Sequence, residues 1–478
     1  MSLRFAALIL FACTLLSTPV WSGPAAPIEL EITQPDGTSF IAVPRGDEFA
    51  NWVETPSGHS IVKKNDTWFY AEKDSAGNLR ASDNAVGSLS PDQLQALPKH
   101  LAPAVDPSVY DRGKIRKVSH PARTGETNLD QPQGVLAQNV LTILVDYLDV
   151  SFTYTDASFE SLMFGATSSV KEFFEENSYG NFTVVPAAES YGVANDGIVH
   201  VARGINHPDL GLGNWRSEAS DIVALADASV NFAAFDTSGE GTVSADELSI
   251  VIILAGYEAS YGGAAFANTP NVWGHASGFP TLILDGVGLS PYTMFGETHG
   301  LTSAPADDHQ ATIGIMCHEL GHLMFDLPDL YDIDQSSAGI GDWGLMAGGS
   351  WNFAPGNTWI GESPAHMVAW SKTQVGFTAA DVVESFQAGA MFPNAGANAA
   401  ARMMWIDKYR TANGEFILFE NRQMTGYDAG LPGAGLMIWH IDQGVRSNAN
   451  EMRKLVDLEE ADGLAELDAN INGGDAGD

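Results

Sequence analysis

Ile315-Met-Cys-His-Glu-Leu-Gly-His-Leu-Met-Phe-Asp-Leu-Pro-Asp-Leu-Tyr-Asp332 is the stretch from which the rest of the chain is best read. Within it, His318-Glu-Leu-Gly-His322 sits in the apolar run Ile313–Phe325, which has the length and composition of a buried helix. On a helix, positions i and i+4 lie one above the other, so His318 and His322 can offer two imidazoles to one metal. Glu319 points away by roughly a quarter turn, which places its carboxylate over a metal-bound water rather than on the metal. Zinc lowers the pKa of such a water, and a neighbouring carboxylate can take its proton and hand it to a leaving amine. The pattern predicts a zinc site of the hydrolytic kind, with His318 and His322 as ligands and Glu319 as general base. The competing reading is an amphipathic helix that merely carries two histidines, and the flanking residues weigh against it.

Those flanks resemble the bacterial immune inhibitor A-like secreted metallopeptidases, in which the zinc helix runs into a Gly-Leu-Pro-Asp-Leu-Tyr-Asp turn. Gly341-Asp-Trp-Gly-Leu-Met-Ala-Gly-Gly-Ser-Trp351 is similar to the family's downstream turn, and Met346 would be the methionine that underlies the zinc in the metzincin clan. Further matching pieces are Ser169-Val-Lys-Glu-Phe-Phe-Glu-Glu-Asn-Ser-Tyr-Gly180, Phe419-Glu-Asn-Arg-Gln423 and Gly435-Leu-Met-Ile-Trp-His-Ile-Asp442, so the likeness extends over residues 140–470. The resemblance implies an α+β, metzincin-like zinc peptidase domain preceded by a pro-region, acting on proteins or peptides.

Two departures matter. Asp326 stands where the family has glycine, at a position that needs a left-handed backbone; aspartate tolerates this less well than glycine but better than most residues. The third metzincin ligand falls six residues after the second histidine, which here is Pro328, a residue without a side-chain donor. Asp329 is the natural substitute, since a carboxylate oxygen is an acceptable zinc ligand. Asp332 and Glu362 stay open as alternatives, and Asp329 could equally serve to pin the turn.

Composition bounds the setting. The chain has 478 residues, 23 Lys plus Arg against 60 Asp plus Glu, and a formal net charge of −37. Such a surface repels nucleic acid and anionic membranes, so neither is expected as a partner. Met1-Ser-Leu-Arg4, the apolar stretch Phe5–Leu16 and small residues near Ser22 describe a secretory signal peptide, and no later run is long enough for stable membrane insertion. Once it is cleaved, Cys317 is the one remaining cysteine, read as a small buried hydrophobe.

The expected organisation is a signal peptide (1–22), a β-rich pro-region (23–110), a linker (111–137), a catalytic domain (138–378) and a β-rich C-terminal subdomain with a solvated acidic tail (379–478). Arg112, Lys114, Arg116, Lys117 and Arg123 put five basic residues in the linker, and activation cleavage is expected between Arg112 and Gly134. In the catalytic region, Val140–Asp146 reads as a buried strand, 158–177 and 215–231 as helices, and Leu248–Ala255 and Thr281–Leu284 as strands. Tyr292–Glu297 is expected to be the edge strand that pairs with substrate, and Gly361–Gly376 a closing helix.

A second motif, Asp236-Thr-Ser-Gly-Glu-Gly-Thr-Val-Ser-Ala-Asp-Glu247, follows the twelve-residue calcium loop. Asp236, Ser238, Glu240, the Thr242 carbonyl, Ser244 and Glu247 fall at the ligand positions, and Gly241 at the sharp turn. Ser238 and Glu240 stand where Asp or Asn is usual. A structural calcium ion in the catalytic domain is the expectation, with a look-alike turn the alternative. His275, His299 and His440 read as packed or hydrogen-bonded histidines rather than ligands. Taken together, the residues predict a secreted zinc endopeptidase. A secreted calcium-dependent adhesion protein with a vestigial zinc helix is the runner-up, and peptidoglycan peptides are an alternative substrate.

Overall fold

The structure, a computed structural model, describes residues 21–104 and 135–478 apart from positions 212, 290, 334, 386–388, 390 and 407–413. Residues 1–20 of the expected signal peptide (1–22) and the activation segment between Arg112 and Gly134 lie outside the described residues. After a leading strand β1 (Trp21–Ser22), six antiparallel strands follow one another in chain order. They are β2 (Leu30–Thr33), β3 (Ser39–Gly46), β4 (Asn51–Glu54), β5 (Ser60–Lys64), β6 (Thr67–Lys73) and β7 (Leu79–Ala85). Gln34-Pro-Asp-Gly37 closes the first hairpin, with Gly37 at φ 86 where a side chain would be strained. A short helix α1 (Pro91–Gln95), capped by Ser90, ends this region.

The centre is a nine-stranded sheet with β1, β14, β17, β12, β8 and β10 side by side. It contains β8 (Leu136–Asp146), with β9 (Phe182–Pro186) and β10 (Ile198–Ala202) along its outer side, and, after the two-residue β11 (Thr242–Val243), β12 (Ser249–Glu258) on the other. β12 and β8 are parallel neighbours, and the run Val140–Val145, apolar at every position but Thr142, is buried throughout, as a strand covered on both faces should be. β13 (Asn271–Val272), β14 (His275–Ser277), β15 (Ile283–Leu284), β16 (Val287–Leu289), β17 (Tyr292–His299) and β18 (His309–Gln310) complete the region, with β11, β16 and β15 forming a small sheet of their own.

Several expectations need correction. The segment Tyr292–Glu297 lies inside β17, which is flanked by β12 on one side and β14 on the other; β14 pairs antiparallel with its first three residues, Tyr292–Met294, so these are no edge. The helix expected over 158–177 is two helices, α2 (Asp156–Phe164) and α3 (Val170–Asn177). Gly165 closes the first, and the Ser169 hydroxyl accepts the Glu172 N–H to start the second. The next helix, α4 (Arg216–Ala226), stops short of Asn231. After α5 (Ala259–Phe266) and the zinc-motif helix α6 (Ile313–Phe325), the closing helix shrinks to α7 (Ala369–Val375). Residues 361–363 form a turn and 364–368 stay non-helical because their backbone is committed elsewhere: Ala365 N–H donates to Gly349 O, the His366 carbonyl accepts from Leu345 N–H, and Met367 N–H donates to the Asn177 side chain.

The C-terminal region is β-rich as expected: β19 (Ala380–Val382), β20 (Ala401–Trp405), β21 (Glu415–Arg422), β22 (Gly435–Asp442) and β23 (Val456–Leu458) form one sheet in chain order. The acidic tail is not a solvated appendage. Leu467 is buried, its carbonyl accepts from Ala338 N–H, and Gly473 O accepts from Asp342 N–H, which seats the tail against the turn below the zinc-motif helix.

Candidate metal centre and substrate groove

Every residue of α6 is buried, so the helix is a core element rather than a surface amphipath. His318 and His322 lie on one face, with their Nε2 atoms 3.1 Å apart. Asp329 Oδ1 lies 3.1 Å from His318 Nε2 and 3.0 Å from His322 Nε2. Each ring is oriented from behind: His318 Nδ1 donates to Leu345 O at 2.8 Å and His322 Nδ1 to Leu327 O at 2.5 Å. A carbonyl can only accept, so Nδ1 of each ring carries a proton and Nε2 is the nitrogen turned towards Asp329, the orientation metal-binding histidines require. The Glu319 carboxylate joins this group, its ligand atom within 4.8 Å of those of the two histidines. The alternatives to Asp329 lie elsewhere. Asp332 Oδ2 accepts from Ser336 and Ser337, and Glu362 accepts from the Thr358 and Trp359 N–H groups.

Sequence-distant pieces close around this group. Met346 lies under the helix, its Sδ 2.8 Å from where a side chain on Gly321 would begin, so glycine there permits the close approach. Asp326 caps α6 in the left-handed region at φ 51, the conformation the sequence demanded of it. Cys317 faces the core, and burial pushes its thiol pKa well up. The Tyr331 ring lies 6.4 Å from that of His318, and its hydroxyl donates to Asp47 Oδ2 of the N-terminal region at 3.3 Å.

β14 lies next to α6, antiparallel to β17, and its outer side is taken by the leading segment: Trp21 pairs with Ala276 and Ser22 with His275. Gly23 then lies against α6, so close that a Cβ there would be 1.8 Å from Ile315 Cδ1 and 3.2 Å from Glu319 Oε1. Two indoles hold the backbone that follows: Trp273 Nε1 donates to Gly23 O at 3.0 Å, and Trp351 Nε1 to Pro24 O at 2.8 Å. The entry to β14 is fixed by Glu258, whose buried carboxylate accepts from the Gly274 and Gly296 N–H groups and from Ser260. Nothing in the sequence singled out Asp47, Glu258, Trp273 or Trp351, because their roles arise from contacts between segments far apart in the chain.

The calcium-like loop forms a compact turn between a 3-10 segment, Phe232–Phe235, and β11. Asp236 accepts from the Glu240 and Gly241 N–H groups and the Ser238 hydroxyl. Burial raises the Glu247 pKa, but the Ser244 and Ser238 N–H groups and the Thr237 and Ser244 hydroxyls outweigh it and hold the carboxyl at about 2. Thr242 lies at the start of β11. His275 donates from Nδ1 to Trp273 O, His299 packs on Tyr261, and His440 faces Glu415 and Glu459; none joins His318 and His322.

The sequence model described as Immune inhibitor A peptidase M6, catalytic domain, matches residues 128–379, just over half of the chain. No curated protein matches it.

Proposed function

The chain belongs to the immune inhibitor A peptidase family M6, and from that premise we propose that it is a secreted zinc-dependent endopeptidase with Glu319 as general base. The convergence of His318 Nε2, His322 Nε2 and Asp329 Oδ1 within 3.0 to 3.1 Å carries the reading. Two neutral imidazoles and one carboxylate form a donor set suited to zinc, and the backbone carbonyls behind both rings hold them ready.

When bound, zinc lowers the pKa of a coordinated water and polarises the scissile carbonyl. Glu319 takes the proton released in the attack and delivers it to the leaving amine. β14 aligns the substrate backbone as an added strand, and the Trp273 and Trp351 indoles anchor its carbonyls. Tyr331 supplies a hydrogen bond to the developing oxyanion once Asp47 is withdrawn.

The full chain is a zymogen in this reading, because Gly23 and Pro24, the first residues left once the signal peptide is removed, lie against Ile315 and Glu319 and are held by the Trp273 and Trp351 indoles where a substrate would bind. Cleavage between Arg112 and Gly134 would release the N-terminal region, and secretion follows from the signal-like start. The loop Asp236–Glu247 binds structural calcium. The deciding assay is casein hydrolysis by wild type and Glu319→Gln, purified in parallel, with zinc content and N-terminal sequence recorded. The expected result is a variant that keeps its zinc and loses several orders of magnitude in rate. Wild type that is folded, zinc-loaded and freed of its N-terminal region yet inert would end the peptidase reading. Fully active material that still begins near Gly23 would end the zymogen reading.

A further inference from the structure

Arg216 occupies the first position of α4, where the positive end of the helix dipole disfavours a cation and favours an anion. It lines a partly open cavity of about 260 Å³ beside β14, between the indoles of Trp215 and Trp273. Its Nε donates to Gly278 O at 2.7 Å, which fixes the guanidinium next to the end of β14. Among the described lining residues it is the one cation.

The other polar groups of the cavity are suited to an anion. Ser277 is 2 % exposed, and its hydroxyl lies beside the buried Tyr292 hydroxyl, on which it acts as a hydrogen-bonding neighbour. His275 adds no charge, since burial lowers its pKa to about 4 and Nδ1 is committed to Trp273 O at 2.8 Å. From the N-terminal region, Glu48 and Phe49 close the mouth, with both Glu48 carboxylate oxygens shielded from water. A carboxylate thus already sits in a pocket whose cation is Arg216.

The strand register says which substrate residue reaches this place. His275 pairs with Ser22, and the next residue, Gly23, is the one against Glu319. Residues directly opposite in an antiparallel pair project to the same face of the sheet. A substrate strand in this register therefore presents the side chain just N-terminal to the residue at Glu319 on the face that His275 lends to the cavity.

We propose that this cavity is a substrate subsite for an acidic side chain, read by Arg216 with the Ser277 hydroxyl as second donor and occupied in the full chain by Glu48. The subsite rests on the peptidase reading. It acts at close range, because a chain of net charge −37 repels acidic peptides from a distance.

The test uses the full chain after activation and quenched fluorescent peptides that differ at one position, carrying Glu, Gln or Lys in the residues preceding the scissile bond. Wild type is expected to favour Glu over Gln by about tenfold in kcat/KM at one of these positions. Arg216→Gln should abolish that ratio, Arg216→Glu should turn the preference to Lys, and Arg216→Lys should retain part of it. Each ratio is internal to one preparation, so a lower yield of folded variant does not disturb it. Hydrolysis with the same Glu-to-Gln ratio in wild type and Arg216→Glu overturns the subsite and leaves the peptidase reading standing. Absence of hydrolysis of every peptide by zinc-loaded wild type overturns both.

Discussion

Asp326 holds a left-handed backbone, φ 51 and ψ 30, at the point where the zinc-motif helix must turn towards Asp329. A residue with a Cβ costs about 1 to 2 kcal/mol there, and aspartate somewhat less because its side chain bonds locally. Asp326→Gly should therefore stabilise the protein by about 1 kcal/mol, seen as a higher midpoint in urea denaturation, with casein hydrolysis retained. Three residues on, the outcome is the opposite in kind. Asp329 is the donor that meets both imidazoles, so Asp329→Ala should leave the fold in place while zinc content falls to a small fraction of wild type; full zinc retention would return the ligand role to another carboxylate. The sequence made the two histidines and Glu319 legible because helical spacing alone juxtaposes them. It left Asp329 undecided against Asp332 and Glu362, since the choice depends on how the chain turns after Asp326, and no periodicity encodes that.

At the scale of elements, the groove depends on a strand that sequence pattern misassigned. Tyr292–Glu297, placed just before the zinc-motif helix, is expected to be the substrate-pairing edge, yet three residues as short as His275–Ser277 cover its first half. A strand that brief has no readable period, whereas long runs such as Val140–Val145 were legible from composition alone. The leading segment takes the outer side of β14. Gly23→Val would place a side chain on Ile315 Cδ1 and push this segment off Glu319. The unprocessed variant should hydrolyse casein measurably where unprocessed wild type does not; equal silence in both would mean that the segment does not enforce latency. Glu297, on β17, gives the sheet a pH dependence. Burial raises its pKa from 4.5 to about 7, against hydrogen bonds from the Tyr154, Thr153 and Gly256 N–H groups. Between these two values the native state binds more protons than the unfolded chain, so this contribution is complete below about 4.5 and is lost as pH rises through about 7. Glu297→Gln keeps an acceptor without ionising, and should flatten the fall in stability over that window in denaturation curves taken from pH 4.5 to 7.

Over the whole molecule, a net charge of −37 means self-repulsion that the core and a few buried cations must offset. One such cation, Arg422 on β21, is fully buried with Asp428 and Glu420, and Asp428 also accepts the His366 N–H, tying the C-terminal sheet to the segment that supports the zinc-motif turn. Calcium at Asp236–Glu247 would offset the same repulsion locally, but any added salt relieves it generally, so a rise in melting temperature with calcium is ambiguous by itself. The two effects separate when wild type and Glu247→Gln are melted in millimolar calcium and in sodium chloride of matched ionic strength. Screening moves both proteins alike, whereas a bound ion stabilises the native state by mass action and adds a shift to wild type alone. Identical calcium shifts in the two proteins would reduce the loop to a hydrogen-bonded turn, and a shift confined to wild type would make calcium part of what holds this acidic chain together.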